Sequence, residues 1–171
     1  MRNYRLVLLL TVAAGVALLL GPALSSVNAA EYVGAVKCKM CHSSKSIGGE
    51  QYKVWQGTKH AKAMDALQGN DANNPKCLKC HTTGYDKPAA AGAQLENVQC
   101  EACHGPGSKY RSSKIMSKRA FKKDREAAQK AALGAGLVIP DENVCKRCHN
   151  EESPKFKGFD FATYKEKIKH W

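Results

Sequence analysis

The chain is short of most materials from which a core or an active site is usually built. Only 7% of its 171 residues are aromatic, which is thin stock for a packed interior. Acidic residues number 15 against 27 Lys and Arg. They are scattered, so nothing resembles a general acid–base pair. The longest apolar run, Leu6 to Leu20, is softened by Thr11 and Gly15 and falls short of the ~20 residues that span a bilayer. Convincing strand alternation is missing too. Finally, there is no spare cysteine, because all eight belong to one recurring pattern.

That pattern is Cys-x-x-Cys-His. It occurs as Cys38-Lys39-Met40-Cys41-His42, Cys77-Leu78-Lys79-Cys80-His81, Cys100-Glu101-Ala102-Cys103-His104 and Cys145-Lys146-Arg147-Cys148-His149. It is the attachment signature of c-type haem: two thiols join the porphyrin and the adjacent imidazole binds its iron. Two other readings exist for eight cysteines, a pair of four-thiolate zinc sites or a disulfide framework. Neither requires a histidine directly after each second cysteine, and it is there every time. Four covalent haems and their iron are therefore expected. The spacing between first cysteines, 39, 23 and 45 residues, is too uneven for a solenoid repeat.

The N-terminus agrees. Arg2 and Arg5 precede the apolar run, Gly21-Pro22 breaks it, and Val27-Asn28-Ala29 supplies small residues for cleavage. Residues 1–29 read as a secretory signal peptide, cut after Ala29, with a membrane anchor as the alternative. No cysteine precedes Cys38 for lipid attachment and there is no twin arginine. The protein is expected in the periplasm or outside the cell, with no stable membrane span after cleavage. Residues 30–171 then form a single domain in which the porphyrins are most of the core. The formal net charge of +12 loses Arg2 and Arg5 with the leader, and eight propionates would cancel most of the rest. A nucleic-acid partner is accordingly not expected. The basic stretch from Lys114 to Lys130 is either a solvated helix face or a docking face for an acidic redox partner.

The expected fold class is mainly α, with short helices and long loops wrapped around four haems and little or no sheet. Helices are predicted from about Glu50 to Leu67, carrying Trp55, His60 and Met64, and from Lys118 to Leu133. Asp141 and Asp160 are predicted N-caps, the latter for a final helix over 161–169 with Phe161, Tyr164 and Ile168 along one side.

Counting iron ligands sharpens the reading. His42, His81, His104 and His149 fill one axial position each, leaving four. The off-motif donors are His60, His170, Met64 and Met116. Met64, one turn beyond His60, is expected to pack rather than ligate. At most two haems can be bis-histidine within one chain.

Three stretches make the chain similar to the cytochrome c-554 family of tetrahaem cytochromes. They are Trp55 to Met64 around His60, Val98 to Gly107 with its Cys-Glu-x-Cys-His-Gly-Pro-Gly sequence, and the Phe159 to His170 tail. The resemblance implies closely stacked haem pairs and periplasmic electron transfer, in the founding member from hydroxylamine oxidoreductase. It further implies three bis-histidine haems and a five-coordinate one on the second motif, with His60 serving the third-motif haem and His170 the fourth. The family's remaining distal histidine falls at Lys114 here, so the first-motif haem departs from the pattern. Lys114 or Met116 are candidate substitutes, or the position is open or completed by another subunit. The leading expectation is thus an electron carrier between respiratory redox partners. The alternatives are a reductase of a small nitrogen-oxide ligand at an open second-motif haem, or a subunit of a multihaem assembly.

Overall fold

A computed structural model describes residues 29–170; the predicted leader, Ala29 apart, lies outside the described residues. Eight short α-helices occur among them: α1 (Ala35–His42), α2 (Gln51–Gln56), α3 (Pro75–His81), α4 (Cys100–His104), α5 (Lys118–Lys123), α6 (Arg125–Gly134), α7 (Glu142–Lys146) and α8 (Phe161–Ile168). Two 3₁₀ helices, His60–Ala66 and Gly69–Asn73, lie between α2 and α3. Pairing of strand type is confined to isolated bridges such as Tyr32 with Ala89 and Thr82 with Glu96. The mainly α expectation holds.

The motifs themselves build helix. Three of them close or constitute a helix (α1, α3 and α4), and the fourth runs from the end of α7 into a turn. One helical turn suits the pattern, since cysteines three apart and a histidine four after the first share a side. Local chemistry starts several of these helices. Asn74 accepts from the Lys76 amide at 3.0 Å ahead of Pro75. Asp141 accepts from Val144 at 3.0 Å and Asp160 from Thr163 at 2.8 Å, as predicted.

Two predicted helices are broken. The segment expected to be continuous from Glu50 to Leu67 ends at Gln56, where the Gly57 amide bonds back to Val54 and the Thr58 hydroxyl to Trp55. It resumes as the 3₁₀ helix, with Lys62 off helical geometry at φ −128°. His60 and Met64 thus do not share the regular face that the sequence suggested. The segment over 118–133 divides at Asp124, which sits extended (φ −151°) and caps α6 through the Ala127 amide. A side chain that competes for backbone N–H groups splits a helix that propensity alone would join.

The interior is small and partly polar. Val33, Ala35, Tyr52, Tyr110, Ala128 and Ala132 are its buried apolar members, with Thr83, Gln99 and Glu101 beside them. Glu101 is 1% exposed and holds the N-terminal strap to the third motif. Its carboxylate accepts from the amides of Val33 (3.0 and 3.1 Å), Gly34 (2.7 Å) and Gly107 (2.6 Å). Gln99 adds the Ala35 amide at 2.6 Å. This accounts for the distinctive Cys-Glu-x-Cys-His-Gly-Pro-Gly stretch: Gly107 must come close, and a Cβ there would lie 2.9 Å from Glu101 Oε1.

Candidate haem attachment sites

The four motifs are gathered, not dispersed. A hydrogen bond from the Cys38 thiol to the Cys100 sulfur, together with burial, pushes Cys38 up, and the same bond holds Cys100 down against the effect of its own burial. Burial and the adjoining Cys80 push Cys148 up to about 12, and burial with Cys145 nearby pushes Cys103 up to about 11. Motif one therefore adjoins motif three, three adjoins four, and four adjoins two. The segment after motif two is also tied to the start of motif three, where the Gln99 amide donates to the Thr83 hydroxyl at 2.8 Å.

Three motif imidazoles are oriented by their Nδ1 atoms. His81 Nδ1 lies 2.6 Å from the Ala63 carbonyl, His104 Nδ1 3.0 Å from the Val138 carbonyl, and His42 Nδ1 3.1 Å from Gln51 Oε1. A carbonyl acceptor calls for a proton on Nδ1 and leaves Nε2 bare, the tautomer a metal needs. Burial holds His60, His104 and His149 below the ordinary imidazole value. Neutral imidazoles are thereby favoured, and a proton competes less with a metal.

His60 and His170 both come to motif histidines. The His60 and His149 ring centroids are 6.0 Å apart, as are those of His104 and His170. Metal–imidazole bonds of about 2 Å put two rings on opposite sides of one ion at roughly this separation. The donor set thus fits haem iron at both places. The pairing is the reverse of that implied by the resemblance, which gave His60 to motif three and His170 to motif four. The reason lies in the elements that carry them. The His60 turn is tied by Ala63 to His81 of motif two, which neighbours motif four. Helix α8 crosses motif four instead of ending there: Phe159 stacks on His149 at 4.9 Å and Tyr164 meets it edge-on at 5.9 Å. Its end then reaches His104.

Lys114 is exposed and Met116 half-buried. Lys114 lines a cleft with Ser113, Ser117, Arg119 and Lys123. The segment carrying both is fastened beside motif one, since the Lys118 ammonium donates to the Lys45 and Ser46 carbonyls at 3.2 and 2.6 Å. Met64 is half-buried, its amide donating to Asn97 Oδ1 at 2.8 Å. All eight cysteines, Cys38, Cys41, Cys77, Cys80, Cys100, Cys103, Cys145 and Cys148, are free of disulfides. Among the described residues no cluster of three or more Cys, His, Asp or Glu is gathered as a metal cage.

The sequence did not reveal the orienting carbonyls of Ala63 and Val138, because a backbone acceptor leaves no residue-type signal. Nor did it reveal the clamp on His60. There Val98 donates its amide to the His60 carbonyl at 3.1 Å, and the Trp55 indole N–H bonds the Val98 carbonyl at 2.8 Å. Asn97, with φ +70°, makes that close return possible.

Comparison with known proteins decides the family. The family described as cytochrome c554 and c-prime matches residues 37–105, spanning motifs one to three. Cytochrome c-554 of Nitrosomonas europaea is 30% identical over 152 residues, covering 75% of this chain and 62% of that protein. The chain belongs to the cytochrome c-554 family. Membership implies covalently bound haem c and iron, in accord with the thiols and imidazoles above. The chain spans less than two thirds of its relative's length, and no solved structure matches it. No helix among the described residues is long and apolar enough to cross a membrane.

Proposed function

We propose that this member of the cytochrome c-554 family is a periplasmic electron carrier with four covalent haems, relaying electrons between respiratory redox proteins. The observation that carries the reading is the contiguity of the four motifs: Glu101 of motif three holds the strap leading into motif one, Arg147 of motif four donates to the Ala102 carbonyl of motif three at 2.9 Å, and Lys79 of motif two pairs with Glu152 just after motif four. Haem iron, when bound, supplies a one-electron couple. The chain's own residues do the rest. Cys38, Cys41, Cys77, Cys80, Cys100, Cys103, Cys145 and Cys148 tether the groups. His42, His81, His104 and His149 would each hold a haem iron, and His60 and His170, whose rings lie 6.0 Å from those of His149 and His104, are the further imidazoles that could hold it at motifs four and three. The carbonyls of Ala63 and Val138 fix ring orientation, and imidazole pairs on one metal favour electron transfer over ligand activation. For the first motif, the adjacent 112–118 segment offers Met116 or Lys114; a lysine there would have to shed its proton.

The test is haem stoichiometry by mass and pyridine haemochrome spectra, followed by potentiometric titration. Four haems per chain, titrating reversibly, are expected. A protein that carries haem at only two motifs would break the relay and overturn the reading.

A second reading has one supporting observation. With His60 and His170 engaged at motifs four and three, no off-motif histidine remains for motif two. An open second-motif haem would bind carbon monoxide or nitric oxide after reduction and act as a small-ligand reductase. Four low-spin haems inert to both gases would eliminate it.

A further inference from the structure

Motif one has an outer face that the haem reading leaves unused. At 3.6 residues per turn, Val36 and Met40 project from the side of α1 opposite Cys38, Cys41 and His42, so a group held by those three does not cover them. They are 58% and 69% exposed, and Ile47, in the loop after the motif, is 50% exposed. Val36 and Met40, one turn apart on the same side of α1, form a small apolar patch of a kind that soluble surfaces keep for contacts.

The rim of this patch is basic. Lys37 and Lys39 flank the two apolar residues on α1, and both are exposed. Lys118, fastened to the Lys45 and Ser46 carbonyls, sets the start of α5 against the same loop. From there the charge continues: residues 109–130 carry nine Lys and Arg, all exposed, against Asp124 and Glu126. Elsewhere cations find carboxylates, as at Lys45, Lys53, Lys79, Lys146 and Lys169. Among the described residues, none of the nine has an ion-pair partner within the chain. A cleft of about 490 Å³ bearing Lys114, Arg119 and Lys123 with the Ser113 and Ser117 hydroxyls opens among them.

An apolar centre with a rim of one charge is the anatomy of a transient protein interface. We infer that this face is the docking surface for an acidic redox protein, and that motif one is where electrons enter or leave the chain. The inference rests on the electron-carrier reading and adds the port. A second copy of this chain is a poor occupant, because it brings the same positive rim. A membrane is also poor, since two aliphatic side chains on an eight-residue helix bury too little. Nucleic acid would want aromatic platforms, and the patch has none.

The experiment uses the fully haem-loaded protein and the hydroquinone of a flavodoxin, an acidic one-electron flavoprotein, as probe donor in stopped flow. The second-order rate should fall as salt rises. Arg119→Glu with Lys123→Glu should lower the low-salt rate by about tenfold and converge with wild type at high salt. Val36→Ser with Met40→Gln should lower it at every salt concentration. Lys155→Glu with Lys157→Glu, an equal charge change after motif four, should alter it less than about twofold. Reduction by a neutral small quinol should be the same in all. Rates indifferent to the first two variants, or equally sensitive to the third, would overturn the docking surface. So would reduction potentials moved by the Arg119 and Lys123 changes without donor, which would make them partners of the protein's own propionates. Flotation with anionic vesicles that is lost in the Val36 and Met40 variant would replace the protein partner by a membrane. If instead the neutral quinol reduces none of the haems, the carrier reading itself fails.

Discussion

Replacing Glu101 by glutamine changes one atom in the interior and should be severe. The carboxylate accepts from three backbone amides, Val33, Gly34 and Gly107, and has no donor to offer. A glutamine keeps one acceptor oxygen. Whichever way it is turned, its NH₂ faces Gly34 or Gly107 and strands that N–H in a site only 1% exposed. An unsatisfied buried donor costs about 1–3 kcal/mol, and the surviving bonds lose their charge assistance, so the sum is about 3–5 kcal/mol. Domains of this size have about 5–15 kcal/mol in all. The assay is urea unfolding of the haem-loaded protein, followed by Soret absorbance and far-ultraviolet circular dichroism together. With a urea slope of about 2 kcal/mol per molar, the midpoint should fall by roughly 2 M. Because Glu101 lies inside a haem motif, Gly107→Ala is the companion variant: it leaves the motif sequence intact, and its Cβ would press Glu101 Oε1 at 2.9 Å. A midpoint shift below about 0.5 M in Glu101→Gln, with matching probes, would refute the view that this carboxylate fastens the N-terminal strap.

Further outcomes follow from the ligand placement. His60→Ala and His170→Ala should each convert one haem from low to high spin in the ferric electron paramagnetic resonance spectrum; an unchanged spectrum removes that residue from the ligand set. Lys114→Ala and Met116→Ala, measured the same way, should differ from each other, and the one that alters the first-motif signal is its ligand. Acid should release His170. The hydrogen bond with Thr163 holds Asp160 below the ordinary aspartate value, so its support of α8 is complete above that value and fades as pH falls through the depressed one. One low-spin signal should therefore be lost below about pH 4. Asp160→Ala should weaken that signal already at neutral pH, while Asp160→Asn, which still caps, should keep it to lower pH.

What could be read in advance was what side-chain identity encodes. The four motifs, the caps at Asp141 and Asp160 and the helical class all rest on residue types at fixed spacings. The broken helices escaped because the breaks are backbone events, at Gly57 with Thr58 and at Asp124, inside stretches of good helix formers. The pairing of His60 with His149 and of His170 with His104 escaped for another reason. Both partners of each pair were visible, but which meets which depends on how motif two lies against motif four and how α8 crosses it. Those are contacts between distant segments, and spacing along the chain carries no record of them.

The seven-residue turn from His60 to Ala66 serves two masters. Its first residue faces His149, and its Ala63 carbonyl holds the ring of His81. One piece of backbone, clamped by Trp55, Asn97 and Val98, thus acts as a shared lever between two motifs. A sideways shift of the His60 ring would carry the Ala63 carbonyl with it and tilt the imidazole of His81, so motifs two and four are mechanically geared as well as adjacent.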